Sequence, residues 1–327
     1  MIIITGGAGF IGSNIAAALA ARGEEVVICD RFSTDDRWRN IAKHKVHNIV
    51  APDELWPLLA HVRSGLRAIV HMGAISSTTE RDVDLIVRNN VRLSIDLWEW
   101  CAKNDVRLIY ASSAATYGDG SNGFDDEGTS EALGKLKPLN PYGWSKHVVD
   151  RRIVADVEAR AIKPPQWAGL KLFNVYGPNE YHKGAMKSVL AQVHPDIVRS
   201  GRVSIFKSHR EDYGDGGQLR DFIHVDDVAS VALWLIDTPS VSGLFNVGTG
   251  KARSFSDLVT AAFNALEIEP EIHFRDMPEE LRDRYQYFTE AKMERLRAAG
   301  FSKPFISLED GVADYVRNYL GKDDPYR

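Results

Sequence analysis

A tyrosine and a lysine stand four residues apart in the run Asn140-Pro141-Tyr142-Gly143-Trp144-Ser145-Lys146. Proline suits the first turn of a helix, so Tyr142 to Glu158 reads as helical, and residues four apart project from one face. A phenol with an ordinary pKa of about 10 is a poor base near neutrality, but an ammonium one turn away favours its ionised form. Such a pair can take the proton of an alcohol. The hydroxyl that would hold that alcohol is Ser113, in Tyr110-Ala111-Ser112-Ser113-Ala114-Ala115-Thr116-Tyr117-Gly118. It falls just past the end of a predicted parallel strand, where open sheets collect their ligands. Taken alone, a tyrosine and a lysine at this spacing commonly form a surface pair; the serine-rich strand end gives them a chemical use.

An electron acceptor for such an alcohol is implied by the first residues of the chain. Thr5-Gly6-Gly7-Ala8-Gly9-Phe10-Ile11-Gly12-Ser13 lies between an apolar strand and a helix. Gly6, Gly9 and Gly12 permit a tight turn and let backbone N–H groups approach a pyrophosphate at the positive helix end. Asp30 closes the second predicted strand, where an acidic side chain binds the adenosine ribose hydroxyls. These features predict a bound nicotinamide dinucleotide, whose positive ring would further favour the Tyr142 phenolate. Asp30 favours NAD, because a carboxylate repels a 2′-phosphate, whereas Arg31 and Arg37 can pair with one. The balance leans to NADP, with NAD as the alternative.

The elements that must position these groups alternate. Apolar runs at Met1 to Thr5, Glu25 to Cys29, Ala68 to His71, Val106 to Ala111 and Ala168 to Phe173 predict strands. Phe10 to Arg22, Arg88 to Lys103 and Tyr142 to Glu158 carry helical spacing between them. The alternation predicts an α/β fold: a Rossmann doubly wound parallel sheet with a smaller α/β substrate-binding lobe. Phe222 to Val247 reads as a helix and a strand, Leu244 to Val247, that returns to the sheet. The expected division is 1–173 and 222–248 for the dinucleotide domain, with 174–221 and 249–327 for the substrate lobe.

At 327 residues, 44% hydrophobic and 26% charged, the chain can bury a large core. A net charge of −5 with no basic, aromatic-interleaved stretch argues against nucleic acid. Cys29 and Cys101, the two cysteines, have no pairing or metal-type spacing, and no metal site is expected. His71 and His224 lack further ligands and read as structural hydrogen-bonding groups. Met1 runs straight into Ile2-Ile3-Ile4 with no basic leader, and no apolar stretch is long enough for a membrane span, so a cytoplasmic location is expected. Apolar helix faces at Leu93 to Trp100 and Val148 to Val154 predict a homo-oligomer.

With the glycine loop, Ser113, Tyr142 and Lys146 in place, the chain resembles the extended short-chain dehydrogenases/reductases along its whole length. Five narrower segments look like the ADP-glycero-manno-heptose 6-epimerases of that group: Gly73-Ala74-Ile75-Ser76-Ser77-Thr78-Thr79-Glu80, Phe173-Asn174-Val175-Tyr176-Gly177-Pro178, His182-Lys183-Gly184, Arg220-Asp221-Phe222 and Arg284-Tyr285-Gln286. The resemblance implies transient oxidation of a side-chain C6 alcohol to a ketone and re-reduction on the opposite face, with Tyr142 and Lys183 as opposed acid/base groups. It implies that Phe10, Ile11, Asp30, Arg31, Arg37, Met72, Gly73, Ala74, Ile75, Ser76, Asn89, Lys146, Val175 and Lys183 line the coenzyme. Asn174, Phe206, Arg220 and Tyr285, with Ser113, would meet the nucleotide sugar.

The bland alternatives are a solvated Lys183, a surface ion pair of Arg220 with Asp221 or Asp226, and core roles for Asn174 and Tyr285. Ala185 and Gln192 depart from the heptose epimerase pattern, which carries serine and histidine there, and the loop 207–218 is longer. The rival reaction on the same machinery is that of another NAD(P)-dependent nucleotide-sugar epimerase, dehydratase or reductase, such as a UDP-hexose 4-epimerase. Ala114-Ala115 provides no acidic pair for dehydration. A nucleotide-sensing protein without catalysis is disfavoured by the intact Ser113, Tyr142 and Lys146.

Overall fold

The computed structural model describes residues 1–62, 65–282 and 285–327; Arg284, in one of the segments quoted above, lies outside them. Among the described residues, short runs of β-branched and other apolar side chains form β1 (Ile2–Thr5), β2 (Val26–Cys29), β3 (Asn48–Val50), β4 (Ala68–His71), β5 (Arg107–Ser113), β6 (Trp167–Leu172), β7 (Asn174–Tyr176), β8 (Val203–Phe206), β9 (Leu219–His224), β10 (Gly243–Val247), β11 (Ala252–Ser254) and β12 (Ile272–Arg275). Seven of them make one parallel sheet in the order β10-β6-β5-β4-β1-β2-β3. The chain winds outward from β1 to β3, then starts again at β4 and winds the other way. That reversal leaves a crevice beyond the carboxyl ends of β1 and β4, the usual ligand position in such a sheet.

Side chains alternate across the sheet and supply two cores. Ile2, Ile4, Ile28, Val70 and Ile109 pack beneath α1 (Phe10–Ala21), while Ile3, Val27, Ile69 and Leu108 pack beneath α2 (Leu93–Asn104) and α3 (Pro141–Glu158). Each fully buried Ile, Val or Leu contributes about 1.5–3 kcal/mol. Cys29 and Cys101 sit in the second core as free thiols, and burial holds both protonated. α4 (Val225–Asp237) packs against α1, and Leu93, Ile95, Trp100 and Val148 remain partly buried on the α2 and α3 side.

A third core, built from Leu190, Ile197, Ile205, Phe263, Val312 and Tyr315, belongs to the smaller lobe, which holds the sheets β11-β9-β7 and β12-β8. Phe222 to His224 close β9 instead of opening a helix, so the return to the large sheet starts at Val225. The predicted helix over Arg88 to Lys103 is a widened turn over Val87–Arg92 continued by α2. Among the described residues no helix is long and apolar enough to cross a membrane.

The glycine loop is where the crevice is tightest. Gly6 has φ +66°, and a Cβ there would lie 2.5 Å from Gly73 Cα, so the ends of β1 and β4 touch. A Cβ on Gly12 would lie 2.1 Å from the Gly6 carbonyl oxygen. Gly12→Ala is therefore expected to push the loop off the start of α1, lowering unfolding stability by roughly 1–3 kcal/mol. Urea unfolding measures this, and unchanged stability would show room that the geometry denies.

Candidate active site

Asn140 caps α3, its side-chain oxygen accepting from Gly143 N–H at 2.8 Å, and Pro141 begins the helix. Gly143 lets the helix come close: a Cβ there would sit 2.6 Å from the Ala115 carbonyl oxygen. This approach brings Tyr142 within hydrogen-bonding reach of Ser113, which is the last residue of β5 and not the first residue after it. Burial raises the Tyr142 phenol above its usual pKa, and the bond with Ser113 opposes that rise. Lys146, one turn on, is 3% exposed; burial pulls its ammonium down to about 8, against the carboxylate of Asp150.

Ser113, Tyr142, Lys146 and Lys183 all line one cavity of about 420 Å³ at the crevice. Lys183 comes from the short turn Tyr181–Met186, with its ammonium 5.4 Å from the Phe10 ring centre. Burial lowers its pKa and the nearby Glu180 carboxylate raises it. The cavity thus collects a phenol, a hydroxyl and two depressed ammonium groups, a set suited to moving hydroxyl protons.

The other end of the cavity suits a dinucleotide. Gly6, Gly9, Gly12, Phe10, Ile11, Asp30, Arg37, Met72, Gly73, Ala74, Ser76 and Val175 line it, and the glycines leave the backbone bare. Asp30 Oδ2 accepts from Ala8 N–H at 2.9 Å and Oδ1 from Arg31 N–H at 2.7 Å, fixing the carboxylate at the loop. Arg37 forms two-point contacts with Asp35, at 2.8 and 2.7 Å, with a third nitrogen 3.6 Å from Asp30. Arg31 is exposed and outside the cavity lining.

Asn89 and Ile75 also fall outside that lining. Asn89 donates to Leu85 O at 2.8 Å, whereas its neighbour Asn90, which the sequence did not single out, holds Ile75 at both backbone atoms, 2.8 and 2.9 Å. Ser77, His182 and Met186 line the cavity too. His182 precedes Lys183 in the His-Lys-Gly run, and that adjacency was the one signal available for it.

Asn174, Phe206, Arg220 and Tyr285 lie in the smaller lobe, outside the cavity lining. Arg220 is 7% exposed, yet it makes no ion pair among the described residues. Its guanidinium donates to Leu219 O at 2.8 Å and lies 5.1 Å from the Tyr285 ring centre and 5.6 Å from that of Phe255. Asp221 is engaged by Thr249, Gly250 and Ala291, and Asp226 by Arg327, so neither acts as its partner. A buried arginine held between rings with no carboxylate suits a diphosphate. The loop 207–218 packs beside it: Arg210 lies 5.3 Å from the Tyr213 ring centre and 5.1 Å from that of Tyr287, which in turn contacts Tyr285 edge-on. Asn174 is exposed, and Arg275 covers half-buried Phe206 at 5.0 Å.

The two departures from the heptose pattern meet each other, since Gln192 Nε2 donates to the carbonyls of Ala185 and Lys187 at 3.2 and 2.7 Å. His71 has structural partners on both ring nitrogens, Thr5 and Ser94, and burial holds it neutral with a pKa of about 3. His224 accepts from Asp226 N–H at 3.3 Å.

Residues 2–248 match the NAD dependent epimerase/dehydratase family. The chain belongs to that family. Over its whole length it is 48% identical to an ADP-L-glycero-D-manno-heptose-6-epimerase of Nitratidesulfovibrio vulgaris (strain DP4), with 100% of both chains covered. Among solved structures it resembles Helicobacter pylori ADP-L-glycero-D-manno-heptose-6-epimerase, with a TM-score of 0.80 and 27% identity over 97% of this chain and 95% of that one. It also resembles a Thermus thermophilus UDP-glucose 4-epimerase in complex with NAD, with a TM-score of 0.73 and 25% identity over 95% and 96% of the two chains. Membership of this family makes the protein a Rossmann-type enzyme that works with a nicotinamide dinucleotide.

Proposed function

We propose that the protein inverts C6 of the heptose in ADP-D-glycero-D-manno-heptose by transient oxidation and re-reduction with bound NADP. The observation that carries this is the convergence of Ser113, Tyr142, Lys146 and Lys183 on one cavity in a chain alike, end to end, to heptose 6-epimerases. The bare glycine loop, Asp30, Phe10, Ile11, Met72 to Ser76 and Val175 would hold the coenzyme, which when bound would accept a hydride from C6 and return it. Ser113 holds the C6 oxygen, Tyr142 takes or returns the hydroxyl proton at one face, and Lys183 does so for the other epimer. Lys146 keeps the phenol acidic. Arg220 and Tyr285, with Asn174 and Phe206, grip the ADP part and leave the side-chain carbon free to turn.

In this reading 1–173 and 225–248 carry the coenzyme and 174–224 and 249–327 the substrate, the boundary falling at Val225 because β9 pairs in the smaller lobe. Self-association through α2 and α3 fits their incompletely covered apolar faces, and a nucleotide-sugar substrate fits the cytoplasm. A UDP-hexose 4-epimerase would need no counterpart of Lys183. Turnover with ADP-heptose but not UDP-hexoses, followed by separation of the epimers, supports the assignment, and the reverse preference overturns it.

Coenzyme choice turns on Arg37. Its guanidinium can exchange Asp35 for a 2′-phosphate, and a charged hydrogen-bonded contact of this kind is worth about 1.5–3 kcal/mol. Arg37→Ala is expected to weaken NADP binding by roughly 10- to 100-fold and to spare NAD. Calorimetric titration with both coenzymes measures this; unchanged NADP affinity would remove the case for NADP.

A further inference from the structure

Behind the cavity lies an ion pair that the proposed chemistry does not use. Lys171 on β6 and Asp150 on α3 have side chains that are 0% exposed, with Nζ 2.9 Å from Oδ2. Asp150 also accepts from the Tyr110 hydroxyl at 3.0 Å and the Ser112 hydroxyl at 2.7 Å, so strand β5 and helix α3 share it. Lys171 has a second acceptor in Thr116 Oγ1, at 2.8 Å, and that hydroxyl donates to the Ser113 carbonyl oxygen at 2.8 Å. Its ammonium lies 4.9 Å from the Tyr117 ring centre.

Burying two ions costs hydration that their attraction often fails to return, and apolar replacements of such pairs are frequently neutral or stabilising. Stability alone is therefore a poor account of this pair. What it does that apolar groups do not is directional. Asp150 stands four residues beyond Lys146 and eight beyond Tyr142 on α3, while Thr116 and Ser112 flank Ser113.

We propose that Lys171 is a positioning residue, its ammonium tying the Ser113 turn to the Tyr142 and Lys146 face of α3 through Thr116 on one side and Asp150 on the other. This rests on the catalytic assignment of Ser113, Tyr142 and Lys146 made above. Lys146 faces Asp150 on its own helix and His71 from β4, and Tyr142, one turn before it, lines the same cavity. The groups facing Asp150 are Lys171, Tyr110, Ser112, Tyr117 and His147. Loss of the Lys171 cation leaves the Asp150 charge uncompensated, and that negative charge favours the Lys146 ammonium and disfavours the Tyr142 phenolate, so both groups hold their protons to higher pH.

The test compares Lys171→Met, Lys171→Arg and the double variant Lys171→Met/Asp150→Asn, with Tyr142→Phe in parallel, by kcat and KM across pH and by Tm. Lys171→Met is expected to lower Tm, to reduce kcat about 100-fold, the scale of a 1 Å misplacement, and to move the acid limb of kcat upward. Lys171→Arg keeps the cation and recovers most of kcat. The double variant removes both charges of the pair, so it regains Tm, yet without the bridge to Thr116 its kcat stays at least about tenfold low with KM little changed. If Lys171→Met does not fold, the double variant carries the test. A double variant with wild-type kcat beside an inactive Tyr142→Phe overturns the positioning role alone, whereas an active Tyr142→Phe overturns the catalytic assignment beneath it.

Discussion

Tyr142→Phe is expected to bind coenzyme and nucleotide sugar almost as the wild type does and to lose about 10²- to 10⁴-fold in kcat, the usual contribution of a positioned acid or base. The ring is kept, so packing at the end of β5 is little disturbed, and only the oxygen that faces Ser113 is lost. The pH dependence adds a second check. Burial raises the phenol's pKa, and in the proposed chemistry the Lys146 ammonium, one helical turn on and lining the same cavity, favours the phenolate for turnover near neutrality. Lys146→Met should therefore shift the acid limb of kcat to higher pH, with a larger loss at pH 7 than at pH 9. Steady-state kinetics with calorimetric binding measures both effects; a near-normal kcat in Tyr142→Phe contradicts the assignment.

Lys183→Met should reduce net inversion by about 10²- to 10⁴-fold while oxidation of one of the two epimers persists. The equilibrium constant belongs to the substrates, so inversion must slow equally in both directions. The asymmetry shows only in the half-reactions: the epimer whose hydroxyl proton goes to Tyr142 is still oxidised, and its partner is not. Single turnovers started from each epimer, with the ketone trapped chemically, separate the two. Unchanged inversion would make Lys183 a bystander, and equal loss of both half-reactions would make it a binding group only.

Much of the large domain was legible because its signals are local. Ile2 to Ile4, Ala68 to His71 and the Pro141 helix start depend on short apolar runs or a fixed dihedral, and the structure forms β1, β4 and α3 there. β3 and the strands of the smaller lobe other than β9 escaped because they are only three or four residues long and partly exposed: Asn48 and Ile49 face solvent, and β12 is exposed along most of its length. Their pairing depends on partners distant in sequence. Phe222 to His224 misled for a related reason, since they run directly into an apolar helix and nothing in their composition marks the join. In the candidate site, residue type and spacing were enough to group Ser113, Tyr142 and Lys146, which line one cavity. Asn90 was not, because its role comes from contacts with Ile75 and Ser145 that only the folded chain creates. The isolation of Arg220 from Asp221 is likewise invisible in a sequence that places them side by side.

In the proposed chemistry Tyr142 and Lys183 move protons between oxygen and protein and never strip C6 of its carbon-bound hydrogen into water. The most direct test gives the enzyme ADP-heptose carrying deuterium at C6, in ordinary water, and follows label and configuration together by NMR. Retention of the deuterium at C6 of the inverted product is the predicted result. Replacement of that deuterium by solvent hydrogen at the rate of inversion would mean carbon-acid chemistry at this site, and would contradict the account.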